Sequence, residues 1–131
     1  RDHDKEKFEA KKTLLKDLTR KLAEEESRAD ISLTIKDSYE NMRPYLEKTP
    51  KVMEIVREAY RQAGIPISEE PIRGGTDGAR LSVRGLPCPN VFTGGLNYHS
   101  VYECIPIPSF EAAAEVALSL VKLSAEVKTL K

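Results

Sequence analysis

Apolar positions recur every three or four residues from about Lys5 to Glu26. Phe8, Leu15, Leu18 and Leu22 share one face, with Leu14 beside them, in a segment otherwise rich in Lys, Glu and Arg. That period predicts a helix with a single apolar stripe and a solvated outer face. Asp4 stands where a helix N-cap is expected. The pattern then changes to alternation: Ile31, Leu33 and Ile35 interleave with Ser32, Thr34 and Lys36, as in a half-buried strand. One helix and one strand make no stable layer, so partner strands are expected before Arg1.

A break near Asp37 to Asn41 separates this unit from the next. Thr49-Pro50 predicts a helix start with Pro at the first helical position. Val52, Ile55, Val56, Ala59, Tyr60 and Ala63 form its apolar stripe, and Gly64 followed by Pro66 ends it. From Glu69 to Ile107 glycine and proline punctuate short apolar runs. "RGGTDGARLSVRG" reads as a glycine loop entering a short helix, with Thr76 or Asp77 near its N-terminus. "PNVF" reads as a short buried strand, and "YECIPIP" as an extended piece limited by its prolines. Ser109 is expected to cap a last helix with Ala113, Val116, Ala117, Leu120 and Val121 on one face and Glu111 near its positive end. The sum is an α/β pattern without internal repeats.

Composition narrows the function. The formal net charge of the 131 residues is zero, so nothing argues for nucleic acid or an anionic membrane as partner. No apolar run has the length of a membrane span. Cys88 and Cys104 have neither disulfide-framework nor zinc-finger spacing and read as reduced, packed thiols of a cytoplasmic protein. The chain opens on "RDHDKEKF", without methionine, and is expected to be cut from something longer.

Two stretches carry candidate chemistry. "RGGTDG" lacks both the dinucleotide-binding and the P-loop spacing. It offers a nest of backbone amides beside Arg73, suited to a carboxylate or phosphate; the plainer alternative is a tight turn with Arg73 in a surface ion pair. "GGLNYHS" places His99 on a loop after a strand. One imidazole is not a metal site, since zinc takes three or four protein ligands, and the only other histidine is the distant His3. Glu103 would support His99 if it bonded to it, and a salt bridge elsewhere is the alternative. Asp77 and His99 are a conceivable pair, but no nucleophile stands out.

Read as one ordered series, "PIRGGTDGARLSVRGLPCPNVFTGGLNYHSVYE" resembles the C-terminal part of the tripeptide aminopeptidases of the dizinc exopeptidase superfamily. "RDHDKEKFEAKK" and "DSYENMRPYLEK" extend the resemblance to the whole chain. It implies a two-domain zinc exopeptidase of α/β class. Residues 1–38 would be the C-terminal half of an inserted, ferredoxin-like lid domain. Residues 39–131 would be the last part of a mixed-sheet catalytic domain.

His99 then corresponds to the last protein ligand of a zinc pair. The other ligands and the glutamate general base are expected upstream. In such enzymes the metals polarise the scissile carbonyl and activate a water while the glutamate moves its proton. Arg73 is the candidate clamp for the substrate carboxylate, Arg1 and Asn41 are candidate substrate contacts, and Gly74, Gly75, Asp77 and Glu103 are supporting residues. Asn41 is read equally as a helix cap. Leu96, Val101 and Cys104 depart from the common pattern beside the ligand. The parent is expected to act on tripeptides, and this piece alone to be inactive and a poor zinc binder. The alternatives are a peptide-binding relative without hydrolysis and a truncated, self-associating domain.

Overall fold

The computed structural model describes residues 2–72 and 74–127. The chain divides into two compact units, Arg1–Ser38 and Tyr39–Lys131. Five helices occur among the described residues: α1 (Lys5–Glu25), α2 (Arg43–Glu47), α3 (Pro50–Gln62), α4 (Asp77–Val83) and α5 (Ile107–Glu126).

In the first unit α1 starts where the sequence places it. The Asp4 side chain accepts from the Lys7 amide at 3.0 Å, the bond expected of an N-cap. The leucine stripe, however, is not covered. Leu14, Leu15, Leu18 and Leu22 are between 51% and 57% exposed. The following segment lies along the polar face instead, with Leu33 and Ile35 facing a shallow cleft beside Glu9, Lys12, Lys16 and Thr19. Lys12 holds it there, its Nζ 2.8 Å from both Glu9 and Asp37.

Residues 31–35 are therefore not a strand here. A strand is defined by its ladder, and no neighbouring strand occurs among the described residues to supply one. The same holds for Pro89–Phe92, and the α/β expectation is not met at the level of strands. The described residues contain one isolated antiparallel bridge, Leu96 with Cys104.

The second unit has a small core. Helix α3 is amphipathic as its pattern requires, burying Ile55, Val56, Ala59 and Tyr60. It packs on α5 through Val116, which is fully buried. Phe92, Leu120 and Leu123 close the edges. Thr49 and Pro50 begin α3 and Gly64, at φ +68°, follows its end, as the sequence predicts.

Helix α5 departs from expectation. It begins at Ile107 with Pro106 as its N-cap, so Ser109 lies inside it and Glu111 falls beyond the first turn. The Ile-Pro pair explains this: Pro106 and Pro108 both have φ values that suit a helix entry, and Pro108 needs no amide partner there. The buried line runs through Val116, Leu120 and Leu123, which leaves Val121 69% exposed. Cys88 is half-buried, whereas Cys104, expected to be packed, is exposed at the bridge.

Candidate functional site

Two structural features of the second unit carry the candidate residues: the glycine turn before α4 and the hairpin after Gly95. Helix α4 is capped by Thr76, whose Oγ1 accepts from the Ala79 amide at 3.2 Å. The Asn90 side-chain amide donates to the same oxygen at 3.3 Å and lies 3.8 Å from the Met42 sulfur. Asp77 is thus the first residue of α4, where its carboxylate suits the positive helix end, and the capping role belongs to Thr76.

Gly78 is buried because α4 lies directly on the next segment. A Cβ at that position would stand 2.6 Å from the Cys88 carbonyl oxygen and 3.0 Å from Asn90 Oδ1. One turn on, the fully buried Ser82 accepts from the Cys88 amide at 3.0 Å. The small residues of "TDGARLS" thereby let α4 grip the segment that leads to the hairpin.

Helix α3 grips the same segment two residues later. The Tyr60 hydroxyl accepts from the Phe92 amide at 3.1 Å, and the two rings meet at 5.5 Å with a 50° tilt. Next come the glycines. Gly94 has φ +82°, and a Cβ there would meet Ser109 of α5 at 2.7 Å. Gly95 lies under the Tyr98 phenol, whose hydroxyl shares a 2.6 Å hydrogen bond with Thr93. The close approach explains glycine at position 94, where a Cβ would meet the backbone of α5; at Gly95 it would meet only the Tyr98 side chain.

Leu96 and Cys104 then exchange both backbone hydrogen bonds, at 2.8 and 3.2 Å, and close a hairpin with His99 in its loop. Asn97 and His99 adopt left-handed backbone conformations, φ +54° and +65°. Such conformations are uncommon outside glycine, although Asn and His are among the residues that adopt them most readily. They cost free energy and persist only where neighbours enforce them.

The enforcing contacts are local. The Glu103 carboxylate accepts from the His99 amide at 3.0 Å, and the Asn97 side chain donates to the Tyr102 carbonyl at 3.4 Å. Ser100 accepts from the Tyr102 amide through Oγ at 2.9 Å, and from the Glu103 amide through its carbonyl at 3.1 Å. Glu103 does bond to His99, but at the main chain. It fixes where the loop stands rather than which imidazole nitrogen carries the proton.

His99 itself is exposed. Among the described residues no hydrogen bond joins Asp77 to it, and no group of three or more His, Cys, Asp or Glu side chains is placed to hold a metal ion. One imidazole does not make a zinc site, so a metal at His99 needs ligands from outside these residues. Arg1 and Arg73 lie outside the described residues. Asn41 Oδ1 accepts from the Arg43 amide at 3.0 Å in an Asx-type turn, one residue before Met42, the N-cap of α2. No described helix is long and apolar enough to cross a membrane.

Asn90, Tyr60 and the Thr93–Tyr98 pair position the hairpin; the sequence marked Tyr60 only as part of an apolar stripe and did not single out the others. "PNVF" put Asn90 in a short strand, and its tie to Thr76 spans 14 residues and has no local signal.

The profile of peptidase family M20/M25/M40 matches residues 8–123, and the chain belongs to this family. Its similar proteins include enzymes named peptidase T. That of Aeromonas hydrophila is 48% identical over 124 residues, 95% of this chain and 30% of that protein. That of Caldanaerobacter subterraneus is 47% identical over 123 residues, 94% of this chain and 30% of that protein. That of Clostridium perfringens is 44% identical over 126 residues, 96% of this chain and 31% of that protein. The chain therefore spans about three tenths of the length of the curated relatives it matches.

Proposed function

We propose that this chain is the C-terminal part of a zinc tripeptide aminopeptidase that removes the N-terminal residue from tripeptides in the cytoplasm. The observation that carries this is the identity to peptidase T, 44–48% over about 95% of the chain, which takes in the hairpin of His99. Residues 1–38 are assigned to the lid and 39–131 to the catalytic domain. Their extended segments at 31–35 and 89–92 would gain strand partners from the remaining seven tenths of such a protein, the first in the lid sheet and the second in the mixed sheet.

In this reading His99 is one zinc ligand, and zinc bound there supplies Lewis-acid chemistry to a peptide carbonyl. The chain's own residues perform positioning. Glu103, Ser100 and Asn97 hold the His99 backbone in its left-handed conformation. Gly74, Gly75 and Asp77 shape the turn after Arg73, the proposed partner of the substrate carboxylate, for which a guanidinium has matching geometry. Arg1 and Asn41 are further proposed substrate contacts.

Hydrolysis of tripeptides by the full-length protein, with and without chelator, tests the reading. Activity that disappears with chelator and returns with zinc is expected; chelator-resistant hydrolysis overturns it. His99→Ala in that protein should lower the zinc content per chain, and unchanged zinc would remove His99 from the ligand set. Peptide binding with no hydrolysis would instead support a non-enzymatic relative.

A further inference from the structure

The contacts around the glycine turn point to a device outside the proposed ligand set. We propose that Tyr39 and Arg80 are positioning residues that hold the turn at Gly75, two residues after Arg73; this deepens the proposed function and rests on it only for the role of Arg73.

Tyr39 is the first residue of the second unit. Its ring lies against Gly75 so closely that a Cβ on Gly75 would run into the ring carbons. A side chain at position 75 would therefore displace the Tyr39 ring from the turn. On the same ring sits Arg80, its guanidinium carbon 4.9 Å from the ring centroid. Arg80 also donates from Nη2 to the Tyr39 hydroxyl at 3.2 Å. Guanidinium, ring and glycine backbone make one cluster, with Tyr39 touching both other members.

Several other arginines of this unit engage carboxylates: Arg43 with Glu47, Arg57 with Glu69 and Arg61 with Glu58. Arg80 engages an aromatic ring instead, the use to which a planar cation is suited. Its position makes the contact a brace. The Arg80 amide bonds to the Thr76 carbonyl at 3.3 Å in the first turn of α4, so its side chain reaches back to the ring that covers the preceding loop.

The turn has a second fastening, the Asn90 amide on Thr76 Oγ1. Between them, the two fastenings hold Gly75 and Thr76 through residues distant in sequence. The fastened residues are the second and third after Arg73, the proposed partner of the substrate carboxylate.

The test measures tryptic cleavage after Arg73 in the full-length protein, followed by mass spectrometry. Tyr39→Ala should speed that cut by roughly fivefold or more, the scale of losing a cation–π contact and a hydrogen bond to a charged donor. Tyr39→Phe, which keeps the ring on Gly75, should cut nearly as slowly as the unmodified protein. Arg80→Met removes the brace without touching the ring or the turn and should fall between them; it serves as the second variant if Tyr39→Ala does not fold.

Equal cleavage rates in all variants overturn the proposal. So does acceleration spread over many sites with a lowered Tm, which is plain destabilisation. The KM for a tripeptide with a free C-terminal carboxylate should rise in Tyr39→Ala, with kcat and the KM of the C-terminal amide nearly unchanged. Faster cleavage after Arg73 with an unchanged KM upholds the brace and removes Arg73 from carboxylate binding, so the two readings fail separately.

Discussion

Replacing Tyr60 by Phe removes a single oxygen, yet that oxygen is what joins α3 to the segment leading into the hairpin. Tyr60 is only 8% exposed, and its hydroxyl accepts from the Phe92 amide at 3.1 Å. The variant keeps the ring contact at 5.5 Å and loses the acceptor. A buried amide left without a partner costs about 1–3 kcal/mol. Phe92 is half-buried, so water offsets part of the loss and the low end applies, roughly 1 kcal/mol.

With about 1.4 kcal/mol per tenfold, the Phe92 amide should exchange its hydrogen roughly five times faster. Hydrogen exchange of the full-length protein, read on peptides covering Val91 to Gly95, measures it. The effect should be confined to that segment and the hairpin beyond it, and should leave peptides of α1 unchanged. Tyr60→Leu also removes the ring and should cost more, through lost packing. If Tyr60→Phe leaves Phe92 exchange within the error of the unmodified protein, the hydroxyl does not hold the segment and the hairpin is supported by other contacts.

Two further outcomes follow from particular geometries. Gly94→Ala should lower Tm more than Gly85→Ala. Both sites have positive φ, +82° and +93°, but a Cβ at Gly94 meets Ser109 at 2.7 Å while one at Gly85 meets nothing; equal losses would refute the close approach. Glu58 should titrate at about 2 rather than near 4.5, because hydrogen bonds from Arg61 and then Gln62 favour its charged form. A depressed folded value means this contribution to stability is present above the ordinary carboxylate range and is lost as pH falls from about 4.5 through about 2. Arg61→Ala should raise the midpoint seen by NMR, and a midpoint that stays near 2 would refute the assignment.

What could be read from the sequence was local. Asp4, Thr76, Thr49-Pro50 and Gly64 are short-range signals whose partners lie within a few residues, and they mark helix ends here. The alternation at Ile31, Leu33 and Ile35 was just as regular but specifies only one side of a pairing. A strand forms against another strand, and without one these residues settle beside the polar face of α1 under the Lys12–Asp37 ion pair. The unmet leucine stripe has the same cause. An amphipathic helix records which face is to be buried and not what will bury it. The long-range ties, Asn90 to Thr76, Tyr60 to Phe92 and Tyr39 to Gly75, pair residue types that occur in many settings, so spacing could not reveal them.

His99 shows the same division within one residue. Its identity as a candidate ligand came from the ordered series around it, while its backbone strain could not be seen there. Glu103 binds the His99 amide, so the hairpin sets the position of the main chain and leaves the ring's tautomer to other groups. Left-handed residues are ordinary in hairpin loops, so the conformation of His99 fits a structural histidine as well as a ligand. A ligand that shares its metal with residues elsewhere in a larger protein does need a fixed backbone, because the ion tolerates only a few tenths of an ångström in ligand distance. In the proposed zinc site, this fixed backbone would set where the His99 ring can meet ligands from elsewhere.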